Sequence, residues 1–259
     1  MYLEQIKGLY RYRSLIWNLV IRELKARYRG SVLGFLWSFL NPLLLMLVYS
    51  VVFSTYLRFN MESYVVFLLS GLLPWMWFSS SILEGSGSII AGGNLIKKIL
   101  FPAEVLPMVV VLANGVNYLL SLPILLIFVV YFKLAIGMPL LALPIVFSIQ
   151  LLLTVGFAFI LSALCVHYRD IQHVLGNVLN LWFFTTPIVY SLDQIPEKFR
   201  FTVNFNPAAP LILAYQDIFF YGRFPNFRQL AVVALFAILL YALGISVFER
   251  FRGTFAEEV

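Results

Sequence analysis

VLPMVVVLANGVNYLLSLPILLIFVVY, residues 105–131, runs from end to end without a charged side chain. As a helix rising about 1.5 Å per residue it covers roughly 40 Å, more than the roughly 30 Å hydrocarbon core of a bilayer. Five further stretches have the same character, at 33–57, 64–83, 140–165, 174–192 and 229–248. The chain is 62% hydrophobic and 12% charged, with a mean hydropathy of +0.93. Soluble domains average roughly 45–50% apolar and about 25% charged residues. A water-soluble fold of 259 residues cannot hide that much apolar surface, so the pattern predicts an all-α polytopic membrane protein with six transmembrane helices.

An even number of spans returns both termini to one side, and basic residues, which resist translocation, select that side. With the termini in the cytoplasm, Lys7, Arg11, Arg13, Arg22, Lys25, Arg27, Arg29, Lys97, Lys98, Arg169, Arg250 and Arg252 lie inside. Only Arg58, Lys133, Lys198, Arg200, Arg223 and Arg228 lie outside. The net charge of +6 therefore gathers on one face, which suits anionic headgroups and not nucleic acid. Pro42, Pro74, Pro123, Pro144 and Pro187 all fall within expected spans and predict kinks. The first 29 residues are too polar and basic for a cleaved signal peptide and are expected to remain. Cys165 has no second cysteine to pair with and reads as a small buried residue.

The whole chain, 1–259, reads as one transmembrane domain: an amphipathic interface helix at 1–30, five spans within 31–192, an outer segment at 193–228, then a sixth span and tail at 229–259. In the first of these, Leu3, Ile6, Tyr10, Trp17, Val20, Leu24 and Tyr28 recur at near-helical spacing opposite a basic face. Arg27 and Arg29 end that face, and the pattern fits both a plain lipid anchor and a contact with substrate phosphates.

Between the second and third spans, Asn94 is placed to cap a short helix carrying Lys97 and Lys98, which Pro102 terminates. The glycines before it lack the Gly-Lys-Ser/Thr of a nucleotide-binding loop. The next inner turn carries His167, Arg169, Asp170 and His173; two histidines six positions apart do not share a helix face, so no metal site is expected. Outside, the 193–228 connection is too apolar for a solvated loop and predicts a re-entrant segment, a lid lying on the spans being the alternative. Its helix starts near Pro207 and Pro210 and stops at Gly222.

Polar residues within spans face the protein interior. Asn114, Asn117 and Ser121 follow one face of the third span; Asn177, Asn180 and Phe184 follow one face of the fifth, with Thr185, Thr186 and Tyr190 above. Interhelical hydrogen bonding and channel lining both account for them. No Asp, Glu, Lys or Arg sits at mid-span, which argues against proton coupling and charged-ring ion conduction. Aromatic residues make up 17% of the chain, and any on inward faces would suit the C–H faces of a sugar.

Four blocks taken together, RYRGSVLGFLWSFLNPLL at 27–44, NLIKKILFPAEVLP at 94–107, YRDIQHVLGNVLNLWFFTTPIVY at 168–190 and IPEKFR with NFNPAAPL within 195–211, resemble the ABC-2 type permease subunits of polysaccharide exporters, the O-antigen and teichoic-acid kind. The resemblance runs through the chain in order. It implies a homodimer of six-helix subunits around one channel, moving a polyprenyl-pyrophosphate-linked polysaccharide across the inner membrane. It further implies two copies of a separate ATPase subunit, received by Asn94, Lys97, Lys98, Arg169 and Asp170, with ATP and Mg bound there and no cofactor in this chain. The segment after Ile195, with Pro207, Pro210 and Tyr215, is then an outer gate. One departure stands out: relatives often carry a basic residue near Gln216. An ABC-2 permease for a drug, peptide or non-glycan lipid is the competing reading. A membrane transferase would need a catalytic dyad, for which Asp170 with His167 or His173 is the sole candidate.

Overall fold

The computed structural model describes residues 12–27, 29–56, 61–98, 101–135 and 137–259. Leu3, Ile6, Lys7, Tyr10, Arg11, Tyr28 and Arg58 lie outside the described residues, as does the side chain of Lys98. Every regular element among the described residues is helical. They are α1 (Arg13–Arg27), α2 (Trp37–Ser50, continued by a π-helical turn Val51–Tyr56), α3 (Tyr64–Ser86), α4 (Ser88–Ala91), α5 (Gly93–Lys98), α6 (Val105–Tyr131), α7 (Leu143–His167), α8 (Ile171–Thr185), α9 (Arg200–Asn204), α10 (Ala209–Phe219), α11 (Phe227–Arg252) and α12 (Phe255–Glu258).

Among the described residues, four helices are long and apolar enough to cross a membrane: α3, α6, α7 with its leading 3-10 turn from Met138, and α11. The sequence predicts six. Of the other two, α2 has an apolar length of only Trp37–Phe53, and α8 spans 15 residues, about 22 Å at helical rise. The expected fifth span at 174–192 ends early for a local reason. Pro187 disfavours helical backbone at the residue before it, and Thr186 is extended, with φ −101° and ψ 135°. Beyond it the chain through Val189 is buried without regular structure. Two expected kinks are corrected by the same logic. Pro144 sits in the first turn of α7, where its missing N–H costs nothing, and Pro187 follows α8 without interrupting it. Pro42, Pro74 and Pro123 do lie inside helices. The Pro74 carbonyl accepts a 2.8 Å bond from the buried Gln150 Nε2 on α7.

The most apolar window of α3 is 78% buried against 28% for α11, so α3 is the central strut and α11 a peripheral one. On its outward side α11 exposes Val232, Leu235, Leu239 and Leu243. Helix α1 does not leave its whole apolar face exposed: Ile16, Leu19 and Val20 pack on Val105, Val109 and Ala113 of α6, while Trp17 stays exposed. In the 193–228 segment, α10 takes Pro210 in its first turn and Gly222 follows at φ +60°, matching the expected start and stop. Almost all of α10 is buried, and it packs mainly on α3. Gly71 permits this approach, since a Cβ there would come within 3.2 Å of Ile212.

Candidate functional site

Three helices meet through polar side chains where α1 ends. Arg27, in the last turn of α1, donates from Nη2 to Glu84 Oε2 at 2.6 Å and from Nη1 to Asn114 Oδ1 at 2.8 Å. Asn114 closes the triangle, donating from Nδ2 to the same Glu84 oxygen at 2.8 Å. Such charge-assisted bonds are stronger than neutral ones and fix the end of α1 against α3 and α6.

The triangle bounds a cleft of about 480 Å³ between α2, α3 and α6. Ser38, Asn41, Ser80, Asn117 and Ser121 line it, together with Trp37, Trp77 and Tyr118. Trp77 is held from both sides: its Nε1 donates to the Val111 carbonyl at 3.1 Å, and its ring stacks on Tyr118 and Phe147 at 5.3 and 4.6 Å. Gly115 makes room, for a Cβ there would come to 3.2 Å from the indole nitrogen. The buried Asn117 Oδ1 has no partner among the described residues. Uncharged amides and hydroxyls beside aromatic rings can hold a ligand rich in hydroxyls. A second cleft, of about 460 Å³, shares Arg27 and Glu84 and runs past Arg22, Glu23 and Ser88 to Asn94.

The candidate lining residues divide into two groups that one chain does not bring together. Asn117 faces the α2/α3/α6 cleft, whereas Asn114 is committed to Arg27 and Glu84. Asn177, Asn180 and Phe184 lie on the exposed face of α8 alongside Val174, Val178 and Leu181. The Tyr190 hydroxyl donates to the Phe184 carbonyl at 2.6 Å. Of the two basic candidates, Arg27 is paired and Arg29 is exposed in the turn beyond α1.

On the α4–α5 side the expected cap is corrected. Asn94 lies inside α5, and the Gly92 carbonyl accepts the first bonds, from Leu95 N at 2.8 Å and Ile96 N at 3.3 Å. Asn94 and Lys97 are exposed. Arg169 and Asp170 are exposed before α8 and line a separate cleft of about 720 Å³ with His167 and Glu258. Residues the sequence reading passed over join these two turns. Thr254 Oγ1 and His167 Nε2 are 3.1 Å apart, Phe255 is buried against Phe248, and a Cβ on Gly93 would clash with Val259.

At the opposite end of α8, Trp182 Nε1 donates to Asn206 Oδ1 at 2.7 Å and Asn206 Nδ2 donates to Thr186 Oγ1 at 2.8 Å. Pro207 and Pro210 line a cleft of about 600 Å³ with Asn226 and Arg228. Tyr215 is fully buried, its ring edge-on to Tyr118 at 5.8 Å. Gln216 is buried too and donates to the Pro187 carbonyl at 2.8 Å, so an amide here pins the irregular chain after α8. Glu84 is the residue of this site that periodicity did not single out; its signal was a carboxylate at the end of a long apolar run.

Residues 14–220 match the family described as ABC-2 type transporter. The chain is 42% identical to the O-antigen export system permease protein RfbA of Myxococcus xanthus, over 98% of each chain. It is 35% identical to the O-antigen export system permease protein RfbA of Klebsiella pneumoniae, over 91% of each. The polysialic acid transport protein KpsM of Escherichia coli is 25% identical, over 89% of this chain and 91% of its own.

Proposed function

We propose that this chain, which belongs to the ABC-2 type transporter family, is the membrane-spanning permease subunit of an exporter for an O-antigen-like polysaccharide. One observation carries the reading: the 42% identity to an O-antigen export permease extends over 98% of both chains. The amides, hydroxyls and rings that line the cleft beyond the Arg27–Glu84 pair support a sugar cargo, whose C–H faces lie on aromatics while its hydroxyls find polar partners.

In this reading the polysaccharide rides on a polyprenyl pyrophosphate carrier, and Arg27 and Arg29 meet the phosphates on the cytoplasmic side. The chain crosses the inner membrane six times with both termini inside, α2 and α8 making the two shorter passages. Two copies form a homodimer, and the exposed Asn177, Asn180 and Phe184 of α8 turn toward the shared channel. Asn94, Lys97, Lys98, Arg169 and Asp170 receive two copies of an ABC ATPase subunit, which bind ATP and Mg. Pro207, Pro210 and Tyr215 belong to the outer gate. ATP moves the dimer between states only by favouring one of them.

The test is reconstitution of the chain with its ATPase in proteoliposomes, following ATP-dependent movement of a fluorescent lipid-linked glycan. Movement that requires both ATP and the glycan supports the proposal. Stimulation by small amphiphiles with none by the glycan replaces it with the drug, peptide or lipid reading. Labelling of Arg169→Cys from outside intact cells overturns the orientation.

A further inference from the structure

Arg27 and Glu84 line both the cleft that reaches Asn117 and the cleft that reaches Asn94. Their triangle with Asn114 is therefore the partition between two spaces of about 480 and 460 Å³. What closes the partition is a guanidinium whose two terminal nitrogens donate to one Glu84 oxygen and to the Asn114 amide oxygen, and the same pair of donors can turn to the oxygens of a phosphate. We infer that Glu84 is an internal stand-in for an anionic headgroup. A diphosphate arriving through the Asn94-side cleft takes Arg27 from Glu84, and the freed Glu84 and Asn114 let the two clefts join.

This rests on the reading above that the cargo carries a phosphate-linked lipid. The exchange is feasible on physical grounds. A diphosphate offers more charge and more acceptor oxygens than a carboxylate, so it competes for the fork. The Glu84 side chain is 43% exposed, so it can turn to solvent without stranding a buried charge. Asn114 loses both of its partners in the exchange and is left as a free amide at the junction, able to meet a hydroxyl. The cargo's own headgroup thus opens the way for what is attached to it, and a neutral amphiphile cannot.

The experiment titrates the full chain, in nanodiscs, with farnesyl pyrophosphate, farnesol and inorganic pyrophosphate. In the wild type farnesyl pyrophosphate binds more tightly than either of the others. Glu84→Gln removes the competitor and tightens farnesyl pyrophosphate on the order of tenfold; Asn114→Ala, which removes two of the three bonds, tightens it less, and Arg27→Gln abolishes the preference. A second readout uses Ser80→Cys, on the Asn117 side of the partition, in a Cys165→Ser background. A soluble maleimide labels it slowly in the wild type, and faster with farnesyl pyrophosphate or in Glu84→Gln. If the wild type prefers farnesyl pyrophosphate but neither Glu84→Gln nor Asn114→Ala changes affinity or labelling, the stand-in role is wrong while the headgroup reading survives. If farnesol binds as well as farnesyl pyrophosphate, the headgroup reading itself fails. Equal binding of inorganic pyrophosphate overturns a lipid source for the anion.

Discussion

Gly244 on α11 lies against the backbone of Gly156 on α7: a Cβ on Gly244 would stand 2.7 Å from the Gly156 carbonyl oxygen. The converse contact is as close, a Cβ on Gly156 meeting the Tyr241 backbone nitrogen at 2.9 Å. In lipid no hydrophobic force draws two helices together, so close backbone approach between small residues supplies the packing. Because each obstacle is backbone, it cannot swing aside.

Gly156→Leu and Gly244→Leu are therefore expected to push α11 off α7, at a cost of about 1–3 kcal/mol or more. Thermal unfolding in detergent, monitored by tryptophan fluorescence, should show lowered midpoints for both. Gly176→Ala is the control, since nothing lies within 4 Å of a Cβ there. Equal midpoints for all three would remove the crossing from the account of stability.

Asn206 holds the segment after Ile195 to the end of α8, bonding Trp182, Thr186 and the Ala208 backbone N–H. Asn206→Ala strands those buried groups, at about 1–3 kcal/mol for each that finds no new partner. Limited trypsin digestion should then cut faster after Lys198, in the exposed chain ahead of α9, and after Arg200, the exposed first residue of that helix. Unchanged digestion would mean that the segment is held elsewhere.

Phe255 is fully buried where the C-terminal helix packs, beside the Thr254 contact to His167 and the approach of Val259 to Gly93. Phe255→Ala opens a cavity, and truncations of this kind cost about 3–5 kcal/mol. If the α4–α5 turn and the turn before α8 receive the ATPase as one surface, loosening the link should leave the complex assembled but release ATP hydrolysis from export. Measuring both rates on the reconstituted complex decides it; a parallel fall in the two rates would show mere misfolding.

Burial raises the Asp217 carboxyl above its ordinary pKa of 3.8, by more than the hydrogen bond and charge of Arg223, 2.7 Å away, lower it. The native state thus holds this proton more tightly than the unfolded chain. Its contribution to stability is greatest in acid and falls as the pH rises from the ordinary carboxylate value through the raised one. Asp217→Asn should melt higher than the wild type at neutral pH, and the two should converge as the pH drops. Melting curves for both across that range test it; a gap that widens in acid contradicts the sign.

Much of this architecture was legible from residue order. The long spans showed as uninterrupted apolar runs, and Pro210 and Gly222 bracketed α10 as their backbone preferences require. Two errors came from giving proline and asparagine the wrong place: Pro187 ends α8 from outside it, and Gly92, with no side chain to offer, starts α5 in place of Asn94. Apolar length alone could not separate a helix from a buried irregular stretch, because both are equally free of charge.

The amino-acid order by itself determined that this chain needs lipid around it, that it is helical, and which family it belongs to. The first two follow from composition and local spacing, the family from specific blocks of residues matched in order. Tertiary structure decided what the scarce polar residues do. Arg27 and Asn114, 87 positions apart, share one Glu84 oxygen, and Tyr215 turns inward to Tyr118. A polar group in a low-dielectric interior must find a partner, and which partner it finds depends on how helices distant in sequence are brought side by side.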